Sequence, residues 1–274
     1  MSAILAVANE KGGVGKTTTA VNLAAGLALR LGADARVLLV DMDPQGHALL
    51  ALDYEHCQAP AEKSTAALLV ESPPPSLPPL LRRARHHHNL FFVPGNRPAM
   101  LAAARSLPGL MANESRLERA LAPVREAFAY IIIDTPPNTG DLLVNALVAS
   151  THVLVPVETS YLGVSGLREL QRTLEEVRRH FHPDLEVLGI LPTLCEEQRA
   201  EAGEILRELR GRFDGLVLDP IHRSTDLAYA HANHMDVFTY RPPRQRAAGQ
   251  LASSSRATQE YARLVELVME KCGG

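Results

Sequence analysis

The hydrophobic positions of the chain form short uninterrupted runs, separated by longer segments with helical periodicity. Six runs predict buried strands, at residues 3–8, 36–40, 90–93, 130–133, 152–155 and 186–191. Several runs are unbroken rather than alternating, which is typical of a parallel sheet covered on both faces. Helices are predicted between them at residues 16–31, 141–149, 166–181, 199–212 and 257–271. This alternation predicts a doubly wound α/β fold with a mostly parallel sheet flanked by helices.

One segment interrupts this alternation. Residues 72–79 read SPPPSLPP, and five prolines in eight residues exclude a regular helix or a central strand there. Residues 82–88 continue as RRARHHH. We interpret residues 72–88 as a surface connection within a single domain spanning residues 1–274, because strands of the same sheet follow it. The histidines could bind a metal, but three adjacent side chains cannot all face one ion, so a solvated basic loop is the preferred interpretation.

Charge and composition limit the possible partners. The 274 residues carry 28 Lys and Arg against 31 Asp and Glu, for a net charge of −3. A binder of nucleic acid that is cationic over its whole surface is therefore excluded, whereas a local basic patch is not. Aromatic residues make up 4% of the chain and tryptophan is absent. That composition argues against stacking platforms for single-stranded nucleic acid.

The cysteines and the apolar runs limit the possible class of protein and its cellular location. Cys57, Cys195 and Cys272 form no CxxC pair, which excludes a zinc ribbon or a four-thiolate iron–sulfur cluster within one chain. Their odd number, with no basic segment before the first apolar run, predicts a reducing cytoplasm rather than a secreted protein. No run approaches the roughly 18 apolar residues that a membrane-spanning helix needs.

The strongest chemical signal is a glycine-rich loop between the first predicted strand and the first predicted helix. Residues 10–18 read EKGGVGKTT. The glycine N–H groups and the helix N-terminus would face an anion, Lys16 would neutralise the β- and γ-phosphates, and the Thr17 hydroxyl would bind Mg²⁺. The common phosphate-loop pattern has glycine at position 10, so Glu10 indicates the variant KGGxGKT[ST], with Lys11 as an additional lysine. The predicted nucleotide-binding residues of this loop are Lys11, Gly12, Gly13, Val14, Gly15, Lys16, Thr17 and Thr18.

Two further strands end in carboxylates. The segment LLVDMDPQG places Asp41 and Asp43 after the second strand, and YIIIDTPP places Asp134 at the end of another. Ligands of open α/β sheets bind at the carboxyl ends of parallel strands. Asp134 is therefore predicted to hold the Mg²⁺ shell through water, and Asp41 to orient or deprotonate a water molecule. We interpret Asp43 as a turn-forming residue, because DPQG is a common turn sequence.

These segments resemble the ParA/Soj chromosome- and plasmid-partitioning ATPases, within the deviant Walker A (MinD/ParA-type) group of P-loop proteins. The residues that carry the resemblance are KGGVGKTTTAVNLAAGLA from Lys11, VLLVDMDPQG from Val37 and YIIIDTPPNTGDLLVNAL from Tyr130. VLGILPT, IHRSTDLAYA and the terminal helix also align. The resemblance covers nearly the whole chain and is weakest across residues 53–125.

The resemblance implies an ATPase that uses ATP and Mg²⁺ as a switch. ATP would produce a sandwich homodimer, in which Lys11 reaches the phosphates of the other subunit and stabilises the developing charge, as an arginine finger does. Lys11, Lys16 and Asp41 would be the catalytic residues. The resemblance also implies which residues border the adenine: Leu194, Pro220 and His222.

The family resemblance further implies that the dimer binds double-stranded DNA without sequence preference, and that a ParB-type centromere-binding protein stimulates hydrolysis and releases it. The protein would then be cytoplasmic and nucleoid-associated. Asp226 stands where relatives often have a DNA-binding arginine, and an acid there would repel phosphate. The candidate DNA-binding residues are Arg223, Arg241, Arg244, Arg246 and Arg256, and residues 241–256 contain no acid. A second arginine cluster, with glutamates interspersed among the arginines, lies on the helix predicted at residues 199–212.

Two other features qualify the resemblance. Ser160 precedes Tyr161, where the family often has a glutamate, which leaves the dimer contacts there open. The first strand begins at residue 3, so the sequence predicts no helix-turn-helix extension and no operator binding.

Two alternatives belong to the same superfamily. A MinD-like membrane-positioning ATPase would need a basic amphipathic terminal helix, but residues 260–274 carry three glutamates against one arginine and one lysine, so no stable membrane association is predicted. A metabolic relative would use cysteine pairs to bridge two subunits, and Cys195 and Cys272 lack that spacing.

Overall fold

The computed structural model describes residues 2–33, 35–52, 59–161, 163, 166–196, 198, 200–241 and 255–273. Within these ranges seven strands form one sheet in the order β3-β4-β2-β5-β1-β6-β7. All neighbouring pairs are parallel except the edge pair β3 and β4. The strands are β1 Ala3–Val7, β2 Val37–Asp41, β3 Arg82–Arg83, β4 Leu90–Val93, β5 Tyr130–Asp134, β6 His152–Glu158 and β7 Glu186–Thr193. The predicted doubly wound α/β fold and all six predicted strands are confirmed.

Helices cover both faces of the sheet. They are α1 Lys16–Leu31, α2 His47–Leu52, α3 Thr65–Val70, α4 Arg97–Ser106, α5 Arg116–Leu121, α6 Asp141–Val148, α7 Leu167–His180, α8 Ala200–Arg212, α9 Thr225–Ala232 and α10 Arg256–Cys272. One apolar core lies between the sheet and the pair α1 and α10, and another packs α3 to α6 on the opposite face. A third core joins α7 and α8 to β6 and β7. Among the described helices, none combines the length and hydropathy needed to cross a bilayer.

The region between β2 and β5 is where the sequence predicted least. The helices α2, α3, α4 and α5 and the strand β3 were not predicted, and neither was α9 further along the chain. Three of the helices in this region have only six residues, too few to show a clear helical period. Strand β3 has two residues, and it pairs with β4 through Arg82 and Phe92 and through Arg83 and Phe91.

The histidine triplet corrects one expectation. The prediction of a solvated basic loop is wrong for His87, which is buried and lies 2.7 Å from the carboxylate of Asp236 through its Nε2. Asp236 is buried as well, and it also accepts hydrogen bonds from Thr239. This contact ties the loop that follows β3 to the chain after α9. In the part of the chain that the structure describes, no group of three His, Cys, Asp or Glu side chains is arranged to hold a metal ion.

Candidate nucleotide site

The glycine-rich loop connects β1 to α1 at the carboxyl edge of the sheet. Gly13 and Gly15 have φ angles of 78° and 82°, a backbone conformation that side chains with a Cβ rarely adopt. Gly15 is the N-cap residue of α1, so the free N–H groups of the first helical turn point out of the helix at the loop. The geometry is that of an anion cradle, as the sequence predicts.

Lys16 is the first residue of α1, and its side chain crosses back over the loop. Its Nζ donates a hydrogen bond to the carbonyl oxygen of Lys11 at 2.8 Å. Lys16 is buried, and burial lowers its pKa while the nearby carboxylates of Asp134 and Asp43 act in the opposite direction. The ammonium group is thus held beside the loop backbone, where an anion would approach.

Two residues outside the motif hold the loop in place. Asn9 donates from Nδ2 to the carbonyl of Pro156 at 2.7 Å and accepts from the N–H of Lys11 at 2.9 Å. Thr193, the last residue of β7, donates from Oγ1 to the carbonyl of Val14 at 2.9 Å. Neither residue was predicted from the sequence, although Thr193 ends β7 and Asn9 lies two residues after the end of β1.

Glu10 occupies the position where the common phosphate loop has glycine. Its Oε1 accepts a hydrogen bond from the Thr173 hydroxyl at 2.8 Å, so the carboxylate faces α7. Burial raises the pKa of Glu10. The acid at this position therefore contacts a flanking helix, which explains how the variant loop accommodates it.

Two buried carboxylates meet where β2 and β5 end. Asp41 and Asp134 are register partners in these parallel strands. Both are essentially inaccessible to solvent, at 1% and 0% exposure. Asp41 Oδ1 accepts from the backbone N–H of Asp43 at 3.0 Å. Among the described residues, no well-formed hydrogen bond reaches Asp41 Oδ2 or either carboxylate oxygen of Asp134. The Thr17 hydroxyl and the Thr135 N–H nevertheless lie close enough to Asp134 to lower its pKa, as the Gly95 N–H does for Asp41.

Burial and mutual repulsion govern the protonation of this pair. Burial raises the pKa of Asp41 well above its usual range, and the charges of Asp134 and Asp43 raise it further. Burial likewise raises the pKa of Asp134 to about 7; the charge of Asp43 acts in the same direction, whereas the Thr17 hydroxyl and the Lys16 ammonium group oppose the rise. Unpaired buried carboxylates are costly, so a cation or a proton is needed here. Oxygen atoms without well-formed hydrogen bonds are suitable ligands for Mg²⁺, directly or through water, and the residues present fit that ion.

Asp43 forms the turn that the sequence indicates. Its Oδ1 accepts from the N–H of Gln45 at 2.9 Å, and its carbonyl accepts from the N–H of Gly46 at 3.0 Å. Gly46 has a φ of 68°, which suits the end of such a turn.

Lys11 does not point freely into solvent. Its Nζ lies 2.7 Å from Oε2 of Glu158, the last residue of β6, and both side chains are about a third exposed or less. The ammonium group of Lys11 lowers the pKa of Glu158. Ser160 stands two residues further on. Within one subunit, Glu158 is the acidic partner of Lys11.

A large cavity of about 750 Å³ opens beside the phosphate loop. Gly15 and Thr18 form its loop side, and Tyr261 of α10 forms part of the far wall. Of the residues predicted to border adenine, Leu194 and His222 line the cavity. Ile221 lines the cavity next to His222, whereas Pro220 does not.

The candidate DNA-binding arginines are in different environments. Arg223 Nε lies 2.6 Å from Glu196, and Arg256 Nε lies 2.7 Å from the buried carboxylate of Glu260. Arg241 is exposed at the end of a described segment. Arg244 and Arg246 lie outside the described residues, as does Arg199 of the second cluster. Arg223 lines the cavity, whereas Arg256 contacts His222, which lines it.

Comparison with known proteins agrees with this geometry. A family model described as an AAA domain matches residues 2–187. The "Chromosome partitioning protein ParA" of Myxococcus xanthus is 40% identical over 218 residues, 80% of this chain and 74% of that protein. The "Chromosome-partitioning ATPase Soj" of Thermus thermophilus is 37% identical over 97% of this chain and 95% of its own length.

Among solved structures, that of a cobyrinic acid a,c-diamide synthase from Mycobacterium smegmatis, with a bound ATP analogue and magnesium, superimposes with a TM-score of 0.79 at 29% identity. The match covers 100% of this chain and 98% of that one. The fold and the glycine loop define a P-loop nucleotide hydrolase. The chain belongs to the ParA/Soj family of chromosome-partitioning ATPases.

Proposed function

We propose that this protein is an ATP-dependent DNA-partitioning ATPase whose ATP-bound sandwich dimer binds DNA without sequence preference. A ParB-type partner stimulates hydrolysis and resets the cycle. The observation that carries the proposal is the convergence of a phosphate loop, Lys16 and two buried carboxylates at one edge of the sheet. Such a site ties a conformational state to the γ-phosphate, as a nucleotide switch requires.

Each side chain of the site has a role in hydrolysis. Lys16 neutralises phosphate charge, while Thr17 and, through water, Asp134 hold Mg²⁺. Bound Mg²⁺ would neutralise charge on the β- and γ-phosphates. Asp41, whose Oδ2 makes no well-formed hydrogen bond among the described residues, orients the attacking water. The ATP analogue and magnesium bound in the M. smegmatis structure support ATP and Mg²⁺ as the ligands of this site.

Lys11 is the loop residue whose role depends on dimer formation. Lys11 leaves Glu158 and contacts the phosphates of the other subunit, where a second cation stabilises the charge that develops during transfer. The base of the nucleotide occupies the cavity lined by Leu194 and His222.

DNA binding would use arginines at and beyond the rim of this cavity. Residues 241–256 carry four arginines and no acid, and a dimer presents each patch twice. The contacts of Arg223 and Arg256 with glutamates lower the charge that each offers to DNA. We place the protein in the cytoplasm, associated with the nucleoid.

The membrane-positioning alternative is disfavoured by the packing of α10. Its apolar residues, including Leu264, Val265 and Val268, are buried in the core against α1. That face is therefore not available to lie on a bilayer. The same packing joins the end of the described chain to its first helix, which supports a single ATPase domain over residues 1–274.

Binding of duplex DNA by the full chain tests the proposal. With ATP and Mg²⁺, binding should appear at low salt and weaken steeply as salt rises, because phosphate contacts release counterions. With ADP, or in the K16A variant, binding should be lost. Anionic vesicles in place of DNA serve as the comparison. Binding to vesicles but not to DNA would establish the membrane alternative, and nucleotide-independent DNA binding would refute the switch.

A further inference from the structure

Glu260 is a buried acidic residue that has no role in the chemistry described above. It lies in the second turn of α10 and is only 4% exposed. A carboxylate so deeply buried needs partners that compensate for lost hydration. Its partners are His222 and Arg256.

The contacts use both oxygens of the carboxylate. Oε2 accepts from the backbone N–H of His222 at 2.9 Å. Oε1 lies 2.7 Å from Nδ1 of the same imidazole and accepts from Nε of Arg256 at 2.7 Å. Nη2 of the same guanidinium lies 2.8 Å from His222 Nδ1. One ring nitrogen cannot donate to Glu260 and accept from Arg256 at the same time, so the Glu260 carboxylate is the acceptor that both side chains share and that holds this three-membered cluster together. The carboxylate thus holds one residue through both its backbone and its side chain.

The backbone around His222 explains why Glu260 is needed. On one side the chain pairs with the segment after β7: Cys195 donates to the carbonyl of Ile221 at 3.2 Å, and Arg223 donates to the carbonyl of Cys195 at 3.0 Å. In such a bridge the N–H of the intervening residue points to the opposite side. Glu260 lies on that side and accepts the N–H of His222.

One member of the cluster forms part of the cavity wall. His222 lines the cavity, and so does Tyr261, the neighbour of Glu260 in α10. The Tyr261 hydroxyl lies 3.4 Å from Oγ1 of Thr19 in α1, so α10 is also linked to the helix that follows the phosphate loop. A rigid connection therefore runs from α10 to the surface where the nucleobase would lie.

We propose that Glu260 is a positioning residue for the nucleobase. It fixes the backbone and the imidazole of His222 in the cavity wall, and Arg256 completes the cluster by neutralising its charge. The inference rests on the proposed function, in that the cavity holds the base of a nucleoside triphosphate. It also assigns Arg256 to the nucleotide site instead of to DNA.

The test compares two ligands that differ in whether they carry a base. ATP fills both the phosphate loop and the cavity, whereas inorganic tripolyphosphate can fill only the loop. In the E260A variant, the Kd for ATP with Mg²⁺ should rise about tenfold, the usual scale for losing a buried hydrogen bond to a charged group. The Kd for tripolyphosphate should stay within about twofold of wild type. R256A should show the same divergence between the two ligands, and the isosteric E260Q a smaller one.

Matched controls come from the same helix. Glu270 and Arg263 are exposed residues of α10, so E270A and R263A should leave both Kd values unchanged. Retained binding of tripolyphosphate shows that a variant is folded. If E260A fails to fold, E260Q and R256A decide the question.

Three results would overturn the proposal. The first is an unchanged ATP affinity in E260Q and R256A, and the second is an equal loss for both ligands, which would indicate a merely structural role. The third is wild-type protein that binds tripolyphosphate and ATP equally well, since the base would then contribute nothing. Wild-type protein that binds neither ligand would instead contradict the proposed function, so the two failures are distinguishable.

Discussion

Asp41 lies directly opposite Asp134 on neighbouring parallel strands, and both carboxylates are buried. Three of their four oxygens make no well-formed hydrogen bond among the described residues, although Thr17 lies close to Asp134. Burial raises the pKa of both groups. When both carboxylates are charged and no cation neutralises them, their burial lowers the stability of the folded protein. The site therefore favours the binding of a cation, and the protein is less stable without one.

The first prediction concerns pH and the Asp134 carboxyl. Its folded pKa is raised to about 7, so between roughly pH 4 and pH 7 the folded state binds more protons than the unfolded state. The stability of the nucleotide-free protein should therefore fall as pH rises through this range. D134N removes the buried charge and should raise Tm at pH 8 by a few degrees relative to wild type.

Thermal unfolding at a series of pH values, without Mg²⁺ or nucleotide, measures this effect. Asp214 is exposed, and D214N serves as the control, with a pH dependence equal to wild type. A D134N variant that is less stable than wild type at pH 8 would contradict the assignment of a costly buried charge.

The second prediction separates ATP binding from hydrolysis. D41A should retain ATP-dependent dimerisation while phosphate release falls by about a hundredfold or more, because a water-positioning group is lost and the phosphate loop is intact. Light scattering and phosphate release, measured on the same sample with ATP, provide the two readouts. Hydrolysis at the wild-type rate would remove Asp41 from the catalytic residues.

The third prediction concerns Lys16, whose Nζ is held against the loop backbone. K16A should abolish measurable ATP binding, because the cation that faces the β- and γ-phosphates is gone. Lys63, an exposed lysine far from the loop in sequence, provides the control variant K63A. Equilibrium titration with a fluorescent ATP analogue measures both, and an unchanged affinity in K16A would rule out the phosphate-loop assignment.

The fourth prediction concerns the Lys11 and Glu158 ion pair. If Lys11 must leave Glu158 to contact the partner subunit's nucleotide, E158Q should ease dimerisation. The ATP concentration at half-maximal dimer should drop about two- to fivefold, the scale of a partly exposed ion pair. K11A should form no ATP-dependent dimer. A higher ATP requirement in E158Q would mean that Glu158 supports the dimer instead of restraining Lys11.

Local sequence determined much of this molecule. The apolar runs identified six of the strands, because buried parallel strands need continuous hydrophobic residues. The loop EKGGVGKTT and the aspartates at strand ends predicted the position of the candidate site. They could do so because the residues of each motif stand at a fixed, short spacing in the sequence. Together these motifs indicated the ParA/Soj ATPases, which the comparisons confirm.

Only the tertiary structure decided which distant residues meet. Lys11 and Glu158 are 147 positions apart and become neighbours because β6 pairs with β1. His222 and Glu260 meet because α10 packs against α1 and reaches the cavity wall. His87, in a segment that looks solvent-exposed from its sequence, is buried because Asp236 packs against it. Such contacts depend on the order of strands and the docking of helices, which local periodicity does not encode.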